Sequence, residues 1–188
     1  MSSVVYLAGK VSHGNAWRKL IVPNIRDRVS SGSAYYEMIL FTPTIFKDIK
    51  TSGPYFISCD HGCYHGENTH GVGANKKTCD GGYTPPEIVA RICREQIKKS
   101  DFVFAYIDTN DCYGTLCEIG YAIGLKKYVA VMFSDDDLMK QMWFVSEMAD
   151  AVFDKYGLTE DLKSSIVPLS IYDKMVKIAN VLAKEEEG

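Results

Sequence analysis

Phe102-Val-Phe-Ala-Tyr-Ile107 is followed three residues later by Asp111-Cys-Tyr-Gly-Thr-Leu-Cys-Glu-Ile-Gly-Tyr-Ala122, and together they decide the fold. The first run has the length and unbroken apolar character of a strand buried on both faces. The second leads into a helical run ending near Lys127. A strand running directly into a helix is the unit of a parallel α/β sheet. This spacing places Glu118 in the first turn of the helix, behind the carboxyl end of the strand. In open α/β sheets that edge is where ligands bind.

The same alternation extends outward in both directions. Val4 to Ala8 reads as a short buried strand ended by Gly9, and Trp17 to about Val29 has helical spacing interrupted by Pro23. Tyr36 to Phe41, closed by Thr42-Pro43, and Tyr55 to Cys59 are further strand candidates. Pro85-Pro86 opens a helix over Glu87 to Ser100. Tyr128 to Phe133 reads as a strand, Asp135-Asp-Asp137 as a solvated turn, and Met142 to Ala149 as helix or loop. Ala151 to Phe153 gives a last short strand, and Leu169 to Ala183 an amphipathic helix before the Glu185-Glu-Glu187 tail. The expectation is one domain over residues 1–188, a three-layer α/β sandwich with a mainly parallel sheet.

Composition narrows the function. At 188 residues the chain can bury one sizeable core, and its 46% apolar and 24% charged residues are ordinary for a globular protein. A net charge of -3 supplies no basic footprint for nucleic acid. No run approaches the ~18 apolar residues that span a membrane, and the first residues lack a secretory pattern, so a cytoplasmic protein is expected. On that reading Cys59, Cys63, Cys79, Cys93, Cys112 and Cys117 are reduced thiols.

Chemistry is concentrated in three places. Glu118 stands beside the Tyr113-Gly-Thr115 turn, where a fixed carboxylate suits nucleophilic attack in glycosidic chemistry; the bland reading is a helix N-terminal glutamate. Tyr6-Leu-Ala-Gly9 ends a strand in small residues that let a ligand approach the backbone, with Tyr6 equally placed for the core. The long glycine-rich loop at about 60–86 carries Asp60, His61, Cys63, His65, His70 and Cys79. It reads as a substrate lid, with a zinc set and an ordinary surface loop as alternatives. Lys10, His13 and Arg18 follow the first strand and suit a phosphate or a solvated loop; Trp143 suits base stacking or the core.

Tyr6 to Gly9, Ser100-Asp101 before a strand, and Gly114-Thr-Leu-Cys-Glu-Ile-Gly-Tyr-Ala122 with Gly124 and Lys126 resemble the nucleoside 2-deoxyribosyltransferase family and related nucleotide N-glycosidases. The resemblance spans Val4 to Phe133 and implies a flavodoxin-like, Rossmann-like domain. It also implies cleavage or exchange of the N-glycosidic bond of a nucleoside or nucleotide, without a cofactor or metal, in a homo-oligomer. Glu118 matches the nucleophile and Tyr6 the tyrosine that positions it. Gly9, Asp60, His61, Asp108, Asp111, Gly114 and Thr115 are the expected substrate contacts. Two positions depart: Cys112 stands where a sugar-holding aspartate is usual, and Cys93 where an aspartate assists the base. Those departures leave a non-catalytic nucleotide-sensing module on the same fold as the alternative.

Overall fold

The computed structural model describes residues 2–10, 16–22, 42–53, 64–65, 68–69, 86–162 and 167–183. In chain order these form β1 (Ser3–Gly9), α1 (Ala16–Ile21), β2 (Thr42–Pro43), β3 (Ile49–Ser52), β4 (Tyr64–His65) and β5 (Asn68–Thr69). There follow α2 (Pro86–Lys99), β6 (Phe102–Ile107), α3 (Tyr113–Gly124), β7 (Tyr128–Phe133), α4 (Asp136–Gln141) and α5 (Trp143–Met148). The last elements are β8 (Ala151–Phe153), β9 (Thr159–Leu162) and α6 (Leu169–Ala183). Seven strands make one sheet in the order β2-β3-β1-β6-β7-β8-β9, and β4 and β5 pair separately. The β3-β1, β1-β6, β6-β7 and β7-β8 pairs are parallel; the outer pairs, β2-β3 and β8-β9, are antiparallel.

Strand pleating sorts the core into two layers. Val5 and Leu7 of β1, with Phe102 and Phe104 of β6, pack against Trp17 and Ile21 of α1 and Met175, Ile178 and Leu182 of α6. Their neighbours Tyr6, Ala8, Val103 and Ala105 face the other way, toward Cys93 and Ile97 of α2 and Ile119 and Ala122 of α3. Helices thus cover both faces of a mainly parallel sheet, which is why its central strands are apolar throughout rather than alternating.

Register at the amino edge of the sheet is set by a repeated device. Asp101, one residue before β6, donates its N–H to the Val4 carbonyl and accepts the Val4 N–H on Oδ2, both at 2.8 Å. Asp150, one residue before β8, does the same with Val129 of β7, at 2.9 and 2.8 Å. In each case an aspartate closes a two-bond ring with the neighbouring strand. A slip of one residue would break the ring and turn every side chain of that strand to the wrong face.

Several elements differ from the sequence expectation. Thr42-Pro43, read as the close of a strand, is itself an edge strand, where proline's missing N–H is tolerated. Ile49–Ser52 was not expected because Ile49 is its one aliphatic residue; its partner β1 supplies the pairing. The Asp135-Asp-Asp137 run is not a turn. Asp135 caps α4 by accepting the Leu138 N–H at 2.7 Å, and Asp136 and Asp137 fill the first turn, where the helix dipole favours negative charge. Met142 to Ala149 resolves as the helix α5. The missed strand β9 follows a turn in which Asp154 Oδ1 accepts the N–H groups of Tyr156 and Leu158 and Gly157 takes φ +73°. The helix beyond Pro23, the strands at 36–41 and 55–59, and the 185–187 tail lie outside the described residues.

The carboxyl end of β1 is unusually crowded. Arg18 is fully buried, lies over the Trp17 ring at 4.2 Å from its centroid, and donates from one guanidinium nitrogen to the Gly9 carbonyl at 2.8 Å and the Leu7 carbonyl at 3.3 Å. A Cβ on Gly9 would come within 2.8 Å of Trp17 Cζ2 and 3.0 Å of the Tyr106 carbonyl oxygen. Neither a ring wedged under a buried arginine nor a strand backbone can yield cheaply. Gly9→Ala is therefore expected to lower unfolding stability by about 1–3 kcal/mol in urea denaturation. An unchanged midpoint would contradict this packing.

Candidate active site

Tyr6 and Glu118 are 112 positions apart and meet at the sheet surface: Tyr6 Oη donates to Glu118 Oε1 at 2.5 Å. The meeting follows from the topology. β1 and β6 are parallel neighbours with Tyr6 opposite Val103, and α3 folds back over the face to which Tyr6 points. Glu118 lies in the second turn of α3, not the first, because the helix begins at Tyr113 with Cys112 at its cap. The dipole, which fades within one turn, therefore does not account for this glutamate. The Tyr113-Gly-Thr115 segment is likewise the opening turn of the helix rather than a separate loop turn.

Beside this pair, α2 and α3 enclose a cleft of about 360 Å³, within the range of small-molecule sites. Each helix lines it with one stripe. Ala90, Cys93, Arg94 and Ile97 come from α2, and Gly114, Cys117, Glu118 and Tyr121 from α3. Both stripes follow the i, i+3, i+4, i+7 spacing of a single helix face. Gly114 has open space around its α-carbon, which keeps the cleft clear at the start of α3.

Electrostatics separate the three protic groups of the cluster. Burial pushes the Glu118 carboxyl up to about 7, against the Tyr6 hydrogen bond, the Arg18 charge and the Cys93 contact, which all favour the carboxylate. Desolvation wins, and Glu118 is poised to titrate near neutrality. Burial, then the nearby Cys93 and Glu118, push the Tyr6 phenol well above its usual range, so Tyr6 stays a donor. Burial and the Glu118 charge also push the Cys93 thiol well up. Cys112 is pushed up to about 11, chiefly by burial.

The remaining expected residues are distributed as follows. Gly9 ends β1 and accepts the Arg18 bond, while Gly114 lines the cleft. Thr115 is buried at the start of α3, and Asp108 is exposed after β6. Asp111 forms an ion pair with Lys10 and accepts the Thr109 hydroxyl at 2.6 Å. It is half exposed, so the pair contributes at most about 1 kcal/mol and a ligand could displace it. Asp60, His61, His13 and the other lid and zinc candidates lie outside the described residues, apart from the backbone of His65. Arg18, read as a phosphate contact or part of a solvated loop, is instead buried behind β1; Trp143, read as a base-stacking or core residue, is 63% exposed and so not in the core. Sequence reasoning treated Cys93 as a departure only. The matching stripes on α2 and α3 were the signal that it shares the cleft with Glu118. Cys93, Cys112 and Cys117 are free thiols, and no helix among the described residues is long and apolar enough to cross a membrane.

Comparison of the sequence with protein-family models gives no match, and comparison with curated proteins gives none. The functional reading accordingly rests on the chemistry of the cleft and on the motif resemblance read from the sequence.

A carboxyl whose folded pKa lies above its unfolded value near 4.5 holds its proton more tightly in the folded state. Its contribution to stability is full below pH 4.5 and is lost as pH rises through about 7. Glu118→Gln should therefore be the more stable protein at pH 8, by on the order of 3 kcal/mol, with the difference vanishing near pH 4. Denaturation curves at both pH values measure this, and equal stability at pH 8 would contradict a desolvated carboxyl.

Proposed function

We propose that this protein is a nucleoside 2-deoxyribosyltransferase-like enzyme with a flavodoxin-like fold, cleaving or exchanging the N-glycosidic bond of a nucleoside or nucleotide. The observation that carries the reading is the Tyr6–Glu118 hydrogen bond of 2.5 Å at the wall of a ligand-sized cleft. The likeness of Tyr6 to Gly9 and Gly114 to Ala122 to that family agrees with it and turns on the same two residues.

In this reading one oxygen of Glu118 is held by the Tyr6 hydroxyl and the other attacks the anomeric carbon. The C1′–N bond breaks as the C1′–O bond forms, through an oxocarbenium-like transition state. Water or an incoming base then displaces the carboxylate from C1′. Tyr6 fixes the orientation of the nucleophile, and its proton never needs to leave. Arg18, behind β1, favours the carboxylate form without touching substrate. Asp111, Asp108 and the 60–86 segment, including Asp60 and His61, are the proposed contacts for the rest of the ligand.

The sensor alternative draws on the engagement of Asp111 by Lys10 and on the thiol at Cys93. Release of free base from a nucleoside and nucleotide panel separates the two readings. Glu118→Ala should reduce that release by at least about 10³-fold while the protein stays folded. Binding with no base release from any substrate would favour the sensor.

The working form of Glu118 is the carboxylate, so kcat/KM should rise with pH through about 7. Tyr6→Phe removes a bond that favours the carboxylate, and should move this limb to higher pH as well as slow the reaction. A limb that stays in place in Tyr6→Phe would show that the hydroxyl does not tune the nucleophile.

A further inference from the structure

The described lining of the cleft carries two charged side chains, Glu118 on α3 and Arg94 on α2. Cys93 turns under α2 and is buried against Tyr6 and Glu118. Arg94, about 100° further round the helix, is exposed on the same wall. The guanidinium whose charge reaches Glu118 is that of Arg18, behind β1; Arg94 is not among the groups that act on it. Among the described residues Arg94 makes no hydrogen bond or ion pair.

Its surroundings hold this edge of the cleft positive. Arg91, Arg94 and Lys98 follow the i, i+3, i+7 spacing of one α2 face, and all three are exposed. Lys98 donates to Glu95 at 2.7 Å. That bond holds the Glu95 carboxyl below its usual range, and the charges of Lys98, Lys99 and Arg94 add to it. The nearby acid is thus engaged by a lysine, and the guanidinium stays with the cleft. Its paired N–H donors fit the oxygens of a phosphate or carboxylate two at a time. The need for such a cation comes from Glu118. An anionic ligand approaching a carboxylate nucleophile meets like-charge repulsion, and a cation on the facing wall offsets it.

We propose that Arg94 is the anion-recognising residue of this cleft: the substrate carries a phosphate or carboxylate that pairs with Arg94 while its anomeric carbon faces Glu118. The proposal rests on the glycosidic reading given above and adds to it a specificity-determining residue and a charge on the substrate. Arg94 takes no part in bond breaking. It holds an anion that the Glu118 carboxylate alone would repel, and so selects charged substrates over their neutral counterparts.

The test measures dissociation constants for two matched pairs by equilibrium titration of the purified full chain. 2′-Deoxyadenosine and its 5′-monophosphate place the anion on the sugar; uridine and orotidine place a carboxylate on the base. In at least one pair the anionic member should bind more than about tenfold more tightly, the scale of a charged hydrogen bond. The pair that responds locates the anion. Arg94→Gln should bring that ratio below about threefold. Arg91→Gln removes the same charge from the same helix outside the cleft lining, and should leave the ratio above about tenfold. A ratio of tenfold or less in both pairs overturns the proposal, as does one that survives Arg94→Gln or falls equally in Arg91→Gln. Chromatography of free base from the same four ligands keeps the two readings apart. Arg94-dependent binding without base release overturns the glycosidic reading alone. Base release without an anion preference overturns this proposal alone, and no binding by any of the four overturns both.

Discussion

The site depends on a hydrogen bond between two side chains that both resist being where they are. Burying the Glu118 carboxyl disfavours its charge, and burying the Tyr6 hydroxyl requires a partner. Each meets the other's need. The bond satisfies Tyr6 and points one carboxyl oxygen, while the apolar walls keep the proton affinity of Glu118 near neutral pH. Had the hydrogen bond and the Arg18 charge prevailed over desolvation, Glu118 would be an ordinary, fully ionised carboxylate. Because desolvation prevails, it is a group that can gain or lose a proton under working conditions.

The rest of the fold serves to keep that encounter in register. Tyr6 reaches Glu118 only if β1 presents its even-numbered residues to the α2 and α3 side. The Asp101 ring with Val4 holds β1 against β6 from the amino edge, and Arg18 ties off the carbonyls of Leu7 and Gly9 at the carboxyl edge. The strand carrying the tyrosine is thus fixed at both ends. Its neighbour β6 leads straight into the helix carrying the glutamate, so the two halves of the site share one scaffold.

Much of this was legible in the sequence where the apolar runs are long. The strands at 102–107 and 128–133 and the terminal helix at 169–183 fall within the expected bounds, because buried parallel strands and amphipathic helices leave clear patterns. The edge strands β2 and β9 and their short inner neighbour β3 were missed for the opposite reason: they are short, and their existence depends on a partner rather than on their own composition. The acidic run at 135–137 looked like a solvated turn because a helix cap and a turn use the same residue types. At the site, the Tyr6 and Glu118 pair followed from motifs. The place of Cys93 was present in the matching helical stripes but went unread, and the inward burial of Arg18 was not legible, since a residue's depth beneath a sheet has no signature in local sequence.

The central claim is that Glu118 forms a bond to the sugar. A nucleoside analogue bearing a 2-deoxy-2-fluoro-arabinosyl group slows the second step by destabilising its oxocarbenium-like transition state, so the glycosyl-enzyme accumulates. Digestion and peptide mass spectrometry of the treated protein then locate the adduct. The expected result is one fluorosugar on the peptide containing Glu118, lost when Glu118 is replaced by alanine. Free base released with the sugar attached to another residue would contradict the account.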